Sequence, residues 1–236
     1  MVWEIAKRAK LQPYLKILKN FIISGGDMKR NIKKEAEKII HIFPRTNSET
    51  DPYKVLIETV LSQRTKDENT EKAFKSLFSR YKNVFEISKL KPQDLYDLIK
   101  PAGMYKQKSE RIINISKILI EKYDGKVPDE LEELIKLPGV GRKTANIVLY
   151  VSFGKEALAV DTHVHRISNR LGWVSTKTPE KTEVQLKKII PSELWGPLNG
   201  SMVNFGQKIC KPISPKCEEC FLNEVCPSKG LYKKNR

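Results

Sequence analysis

The residues of this 236-residue chain whose types and spacing could do chemistry are a lysine after a glycine-containing turn, an aspartate beyond it, and four cysteines near the end. Lys143 follows Leu137-Pro138-Gly139-Val140-Gly141-Arg142, a tight turn opening into a helical pattern. There a lysine can hold a phosphate as a cation or, as the neutral amine, attack an electrophilic carbon. Asp161 stands in Val160-Asp161-Thr162-His163, where a carboxylate can cap a helix or oppose positive charge developing in a reaction. Taken singly, Lys143 reads as a phosphate-binding surface cation and Asp161 as the N-cap of a helix over 162–170.

Two glycines one residue apart permit backbone angles closed to other residues. They also leave amide N–H groups bare beside a helix N-terminus, where the dipole and the unpaired donors attract a phosphate. Placed between a short helical pattern at 130–137 and a helix from Arg142 onward, such a turn would clamp a phosphate backbone without reading sequence. A nucleotide-binding P-loop is excluded: GxxxxGK needs a glycine directly before the lysine, whereas Arg142 precedes Lys143 and only Val140 separates the glycines. A P-loop also follows a strand, and 131–137 reads as helix. The bland alternative is a plain turn between two packed helices.

Cys210, Cys217, Cys220 and Cys226 give the spacing C-x6-C-x2-C-x5-C. With no stretch resembling an export signal, the compartment is expected to be reducing, so metal ligation is a better reading than two disulfides. Four thiolates suit tetrahedral zinc or a [4Fe–4S] cluster. Zinc sites usually pair two C-x2-C knuckles, and only Cys217 and Cys220 form one, so spacing alone puts iron–sulfur slightly ahead.

The elements that must position these residues read almost entirely as helices. Asp51-Pro52, Asp67, Pro92, Pro128-Asp129 and Thr178-Pro179 are N-cap or first-turn signals. Over 106–123, Ile112, Ile115, Ile118 and Leu119 fall at helical spacing, a stripe facing a core. No run alternates convincingly with a hairpin signal, so the expected fold class is all-α. Residues 1–27, ending in Ser24-Gly25-Gly26-Asp27 before a second methionine, read as an N-terminal extension.

Hydrophobic residues make up 39% and charged residues 31%, which predicts a packed globular fold. The formal net charge of +16 favours a polyanionic partner, nucleic acid first; a lysine-rich solvated surface would give the same number. No stretch approaches the roughly 20 apolar residues of a membrane span, so no membrane partner and a cytoplasmic location are expected.

The run from Leu137 to Asn146, Leu-Pro-Gly-Val-Gly-Arg-Lys-Thr-Ala-Asn, followed by Val160-Asp161-Thr162-His163 and the cysteines, resembles the signature of the endonuclease III family of helix-hairpin-helix DNA glycosylases. The resemblance covers roughly residues 28–228. It implies a bifunctional DNA glycosylase and AP lyase that excises damaged, oxidised pyrimidines from duplex DNA and cleaves 3′ to the abasic site by β-elimination. Lys143 would be the nucleophile and Asp161 its partner carboxylate. The amine must be neutral to attack, and burial together with the neighbouring cation Arg142 is expected to favour that form. Relatives that remove a mispaired base without cutting the strand replace this lysine, which is present here. The runner-up readings are such a monofunctional mismatch glycosylase, acting on T or U opposite G, and a non-catalytic helix-hairpin-helix DNA-binding protein.

The same resemblance assigns a [4Fe–4S] cluster to the four cysteines, damaged or abasic duplex DNA as partner, and a monomeric state. It divides the chain into a six-helix domain over 45–155 with the hairpin at about 131–150, and a smaller cluster domain from 28–44 and 156–236. Leu61-Ser62-Gln63-Arg64-Thr65-Lys66-Asp67 resembles the family's Leu-Ser-x-Gln loop, with Arg64 at the usual glutamine position. Gly103-Met104-Tyr105 resembles its wedge loop, in which Met104 would enter the base stack; taken alone, Met104 reads as core. Gln63, Arg64, Met104, Gly139, Gly141, Arg142, His163, Lys211 and Lys216 are thus the expected DNA contacts.

Overall fold

The computed structural model describes residues 31–45 and 49–232; the extension expected at 1–27 lies outside them. Among the described residues every regular element is helical, eleven α-helices and three short 3-10 turns, and no strand occurs. The all-α expectation therefore holds. The chain divides into two compact units, one of Thr46–Ala159 and one of Met1–Arg45 with Val160–Arg236.

The Thr46–Ala159 unit runs through α2 (Pro52–Ser62), α3 (Asp67–Arg80), α4 (Val84–Ile87), α5 (Pro92–Ile99), α6 (Tyr105–Tyr123), α7 (Leu131–Leu134) and α8 (Arg142–Phe153). α2 starts where Asp51 accepts the Lys54 N–H at 2.9 Å and Pro52, whose missing N–H would be unpaired anyway, takes the first helical position. α6 carries the expected stripe: Ile112, Ile115 and Leu119 are fully buried. They join Leu56, Leu61, Leu77, Leu95 and Val148 in one core, each fully buried aliphatic side chain contributing about 1.5–3 kcal/mol. α8 and α6 both pack on α2. The start read at Pro128-Asp129 is corrected: the helix begins at Leu131 and lasts one turn, because Asp129 instead makes an ion pair with Lys155 at 3.0 Å.

The second unit holds α1 (Ile32–Ile42), α9 (Thr162–Arg170), α10 (Pro179–Ile189) and α11 (Trp195–Lys208), with α11 packed on both α1 and α9. Thr178 caps α10 through the Lys181 N–H at 3.3 Å, and Pro179 begins it. Beyond α11 the chain to Tyr232 contains only the 3-10 turn Cys217–Glu219.

Candidate active site and iron–sulfur centre

Local packing fixes the hairpin that presents Lys143. Leu134, Leu137 and Val140 are buried, drawing both sides of the turn onto the core. Gly139 adopts φ +77°, which strains any other residue, and a Cβ there would lie 2.7 Å from Cδ of Arg111, so the arginine would have to shift. Gly141 departs from expectation: its φ of −94° and ψ of 175° suit any residue, and nothing lies within 4 Å of the Cβ it lacks. What it provides is open space at the N-terminus of α8, where the N-cap residue itself offers no capping side chain. Buried Asn146 anchors the next turn by donating from Nδ2 to the Leu158 carbonyl at 2.9 Å.

Arg142 and Lys143 are exposed while Thr144, Ala145 and Asn146 are buried. The expectation that the protein buries Lys143 is thus corrected. The physical reason is register: positions 144, 145 and 148 of α8 face the core, which turns the start of the helix outward.

The 61–67 loop also departs from its sequence reading. Gln63 is committed within the protein: its Nε2 donates to the Gly139 carbonyl at 2.9 Å and its Oε1 accepts from Arg111 at 3.2 Å. It ties this loop to the hairpin. Arg64 is exposed, as are Lys66 and Asp67, and Arg64 is held at φ 53°. On the 100–104 loop Met104 is 49% exposed at φ 47°, directly after Gly103 at φ 62°, which removes the reading of Met104 as a core residue.

In the other unit, Asp161 is the N-cap of α9, its Oδ1 accepting the His163 N–H at 2.8 Å and the Val164 N–H at 2.9 Å. His163 is half-buried, and a Cβ on Gly206 would come within 2.5 Å of its Nδ1. With Gly206, Gln207 and the exposed Lys211, His163 lines an open recess. Lys216 is exposed and paired with Glu219 at 3.0 Å. Lys143 and Asp161 fall in different units.

The four cysteines line one recess with Arg170, Leu171, Phe205 and Ile209. Burial, and then the neighbouring thiols of Cys210, Cys226 and Cys217, push the Cys220 thiol up to about 12. So the four sulfurs share one electrostatic environment, in which bound metal must displace the protons. Among the described residues no three His, Cys, Asp or Glu side chains gather closely enough for a single ion. A tetrahedral zinc needs every sulfur at about 2.3 Å, whereas a cluster of several irons takes its thiolates from a wider ring. Four thiols around one recess supply the donor set that an iron–sulfur cluster takes. Arg170 completes it: Nη1 lies 3.7 Å from Cys210 Sγ and donates to the Lys211 carbonyl at 2.6 Å, and Nη2 donates to the Pro212 carbonyl at 2.7 Å.

Residues 57–192 match the model of the HhH-GPD superfamily of base excision DNA repair proteins, and 210–226 match the iron–sulfur binding domain of endonuclease III. Endonuclease III of Thermotoga maritima is 68% identical over 195 residues, 83% of this chain and 92% of that protein. The chain belongs to the endonuclease III family. Two solved structures of that family share the fold with a TM-score of 0.78 and 38% identity over 84% of this chain. One is a non-covalent endonuclease III–DNA complex, covered to 94%, and the other a trapped endonuclease III–DNA covalent intermediate, covered to 95%. Membership brings the [4Fe–4S] cluster, and the matched iron–sulfur segment 210–226 contains all four cysteines. No helix among the described residues is long and apolar enough to cross a membrane.

Sequence reading missed Arg111, Thr65, Arg170 and Lys108. The one signal was Lys108 itself, a cation in phase with Ile112, Ile115 and Leu119 on the buried stripe.

Proposed function

We infer that this chain is a bifunctional DNA glycosylase and AP lyase acting on duplex DNA that contains a damaged base, an oxidised pyrimidine first, or an abasic site. The observation that carries it is Lys143, exposed directly after the glycine turn in a chain 68% identical to an endonuclease III. The amides at the start of α8, left open by Gly141, hold a backbone phosphate and set the lysine against the sugar. Its neutral Nζ attacks C1′; the C1′–N bond breaks, and the base leaves with the bonding pair and takes up a proton. Because the protein does not bury Lys143, exclusion of water by the bound DNA must supply the desolvation that favours the neutral amine.

Asp161 opposes the positive charge that grows on the sugar as the base leaves. Its cap bonds hold the carboxylate in one orientation. Nζ gives up a proton, the C1′–O4′ bond breaks and O4′ takes up a proton, leaving an iminium at C1′ that acidifies C2′; loss of a C2′ proton expels the 3′ phosphate with its bonding pair, and water adding at C1′ returns Lys143 to the amine. No electron enters or leaves this balance. Cys210, Cys217, Cys220 and Cys226 would hold the [4Fe–4S] cluster, whose binding would supply folding energy to 210–226, the segment that presents Lys211 and Lys216 for phosphate contact. Arg142 and His163 add backbone contacts, while Arg64 and Met104 fill the gap left by the extruded nucleotide, at a cost of unstacking that a damaged base lowers. The Thr46–Ala159 unit serves as the hairpin domain and the other as the cluster domain; the enzyme acts as a monomer in the cytoplasm, at the nucleoid in a prokaryotic cell.

Lys143→Gln tests the assignment. It should abolish strand cleavage and borohydride trapping of protein on DNA, while DNA affinity stays within roughly tenfold because the hairpin amides are unchanged. Both runner-up functions lack a Schiff-base lysine, so a variant that still traps, or a wild type that never does, refutes the reading.

A further inference from the structure

Lys108, the fourth residue of α6, is only 1% exposed. Its Nζ donates to the Leu61 carbonyl at 2.7 Å, to Thr65 Oγ1 at 2.7 Å and to the Ala102 carbonyl at 2.8 Å. Three ammonium protons thus meet three oxygens, none of them a carboxylate. The Thr65 hydroxyl also bonds to the Ala102 carbonyl, closing the ring between the two loops. Burial, reinforced by the charge of Arg111, pulls this ammonium down to about 8. A methionine of similar length would occupy the space without that desolvation. What the lysine adds is three directed hydrogen bonds to two separate turns.

Those turns carry the two exposed tips. Thr65 follows Arg64 at φ 53°, and Ala102 precedes Gly103 at φ 62° and Met104 at φ 47°. Left-handed backbone at two non-glycine residues persists only where its surroundings over-determine it. Of the acceptors of Lys108, Thr65 adjoins Arg64, Ala102 lies two residues before Met104, and Leu61 three before Arg64.

We propose that Lys108 is a positioning residue for the search along DNA: it locks the 61–65 turn to the 100–104 turn, so that Arg64 and Met104 enter the duplex as one rigid unit. This rests on the assignment of Arg64 and Met104 as DNA contacts. Neither tip touches the sugar chemistry, so the effect belongs to base extrusion and not to strand cleavage. Lys108 acts only through the two loops.

The test compares base excision from a single-lesion duplex with lyase action on a single-stranded abasic site, which needs no extrusion, for Lys108→Met and Thr65→Val. Circular dichroism and thermal unfolding give the folded fraction. The duplex-to-single-strand ratio should fall at least tenfold in Lys108→Met and less in Thr65→Val, which leaves two of the three bonds. In the Lys108→Met background, adding Arg64→Ala or Met104→Ala should cost little more, because tips no longer held in register are already ineffective. Parallel loss of both activities with the folded fraction would make Lys108 merely structural and overturn the proposal, as would an unchanged ratio. Should Lys108→Met fail to fold, Thr65→Val decides on the same ratio. Arg64→Ala and Met104→Ala in the wild-type background separate the two failures: if both excise at the wild-type rate, the tips are not DNA contacts and the proposal falls with that assignment.

Discussion

The two units hold their functional loops by different means. In Thr46–Ala159 the turns bearing Arg64, Met104 and Gly139 are fixed by side chains of α6: Lys108 bonds to two of them, and Arg111 reaches the third through Gln63. Beyond α11, by contrast, the chain has one 3-10 turn, and arginines of α9 hold it at both ends: Arg166 and Arg170 bond to the Cys210, Lys211 and Pro212 carbonyls, and the Arg170 guanidinium lies 3.9 Å from the centroid of the Tyr232 ring. The first unit sets its loops by core packing together with side-chain hydrogen bonds from α6. The second packs Phe221 against Phe43 and Phe205 and buries Leu222, and it gathers four thiols around one recess. In the proposed function, side chains of α6 prepare the loops that would meet the base stack, and four thiols gather in the segment that would meet phosphate.

Removing the metal strikes this contrast hardest. Chelation of iron, or Cys217→Ser, should bleach the visible absorbance of a chain that otherwise carries about four irons. Hydrogen exchange should show 210–226 losing protection, with α9 and α11 following, while α2, α6 and α8 stay protected. Uniform loss across both units, or a protein holding a single zinc, would contradict the assignment.

Asp161 gives the next largest effect, because cap and chemistry can be separated there. Asparagine is as good an N-cap as aspartate, so Asp161→Asn should keep stability within about 1 kcal/mol while slowing base excision about 10²–10³-fold. Asp161→Ala should add a loss of about 0.5–2 kcal/mol from the missing cap. If Asp161→Asn excises at the wild-type rate in single-turnover assays, the residue is a cap and nothing more.

Where local chemistry decides the conformation, the sequence is transparent. Pro52 and Pro179 start their helices as read, and the stripe of Ile112, Ile115 and Leu119 is buried as its spacing requires. The four cysteines lie around one recess, as their crowding near the chain end suggested. What escaped depends on partners distant in sequence. Gln63 looks like a DNA contact until the Gly139 carbonyl, 76 residues away, takes its amide. The exposure of Lys143 follows from which face of α8 meets the core, and the Gly-Val-Gly-Arg-Lys run carries no sign of it. Lys108 sits among 44 lysines and arginines, marked only by its phase with the apolar stripe. Gly139 and Gly141 look equivalent as letters, yet only one needs to be glycine for its backbone angle.

That pair of glycines offers the smallest and sharpest comparison. Gly139→Ala places a Cβ at φ +77° and 2.7 Å from Arg111 Cδ. The left-handed angle costs about 1–3 kcal/mol, and displacing Arg111 also loosens its bond to Gln63, so thermal unfolding should shift to lower temperature and the 61–67 loop should lose hydrogen-exchange protection. Gly141→Ala meets extended backbone and open space, so stability should change by about 0.5 kcal/mol or less. Its methyl group does intrude where a phosphate would approach the α8 amides. Binding to undamaged duplex, measured at one fixed salt concentration, should therefore weaken several-fold and equally for unrelated base sequences, since amides on a phosphate read no bases. A Gly141→Ala protein that binds duplex as tightly as wild type would mean that the start of α8 does not hold the DNA backbone. A Gly139→Ala protein that melts like wild type would mean that the Arg111 contact does not constrain the hairpin.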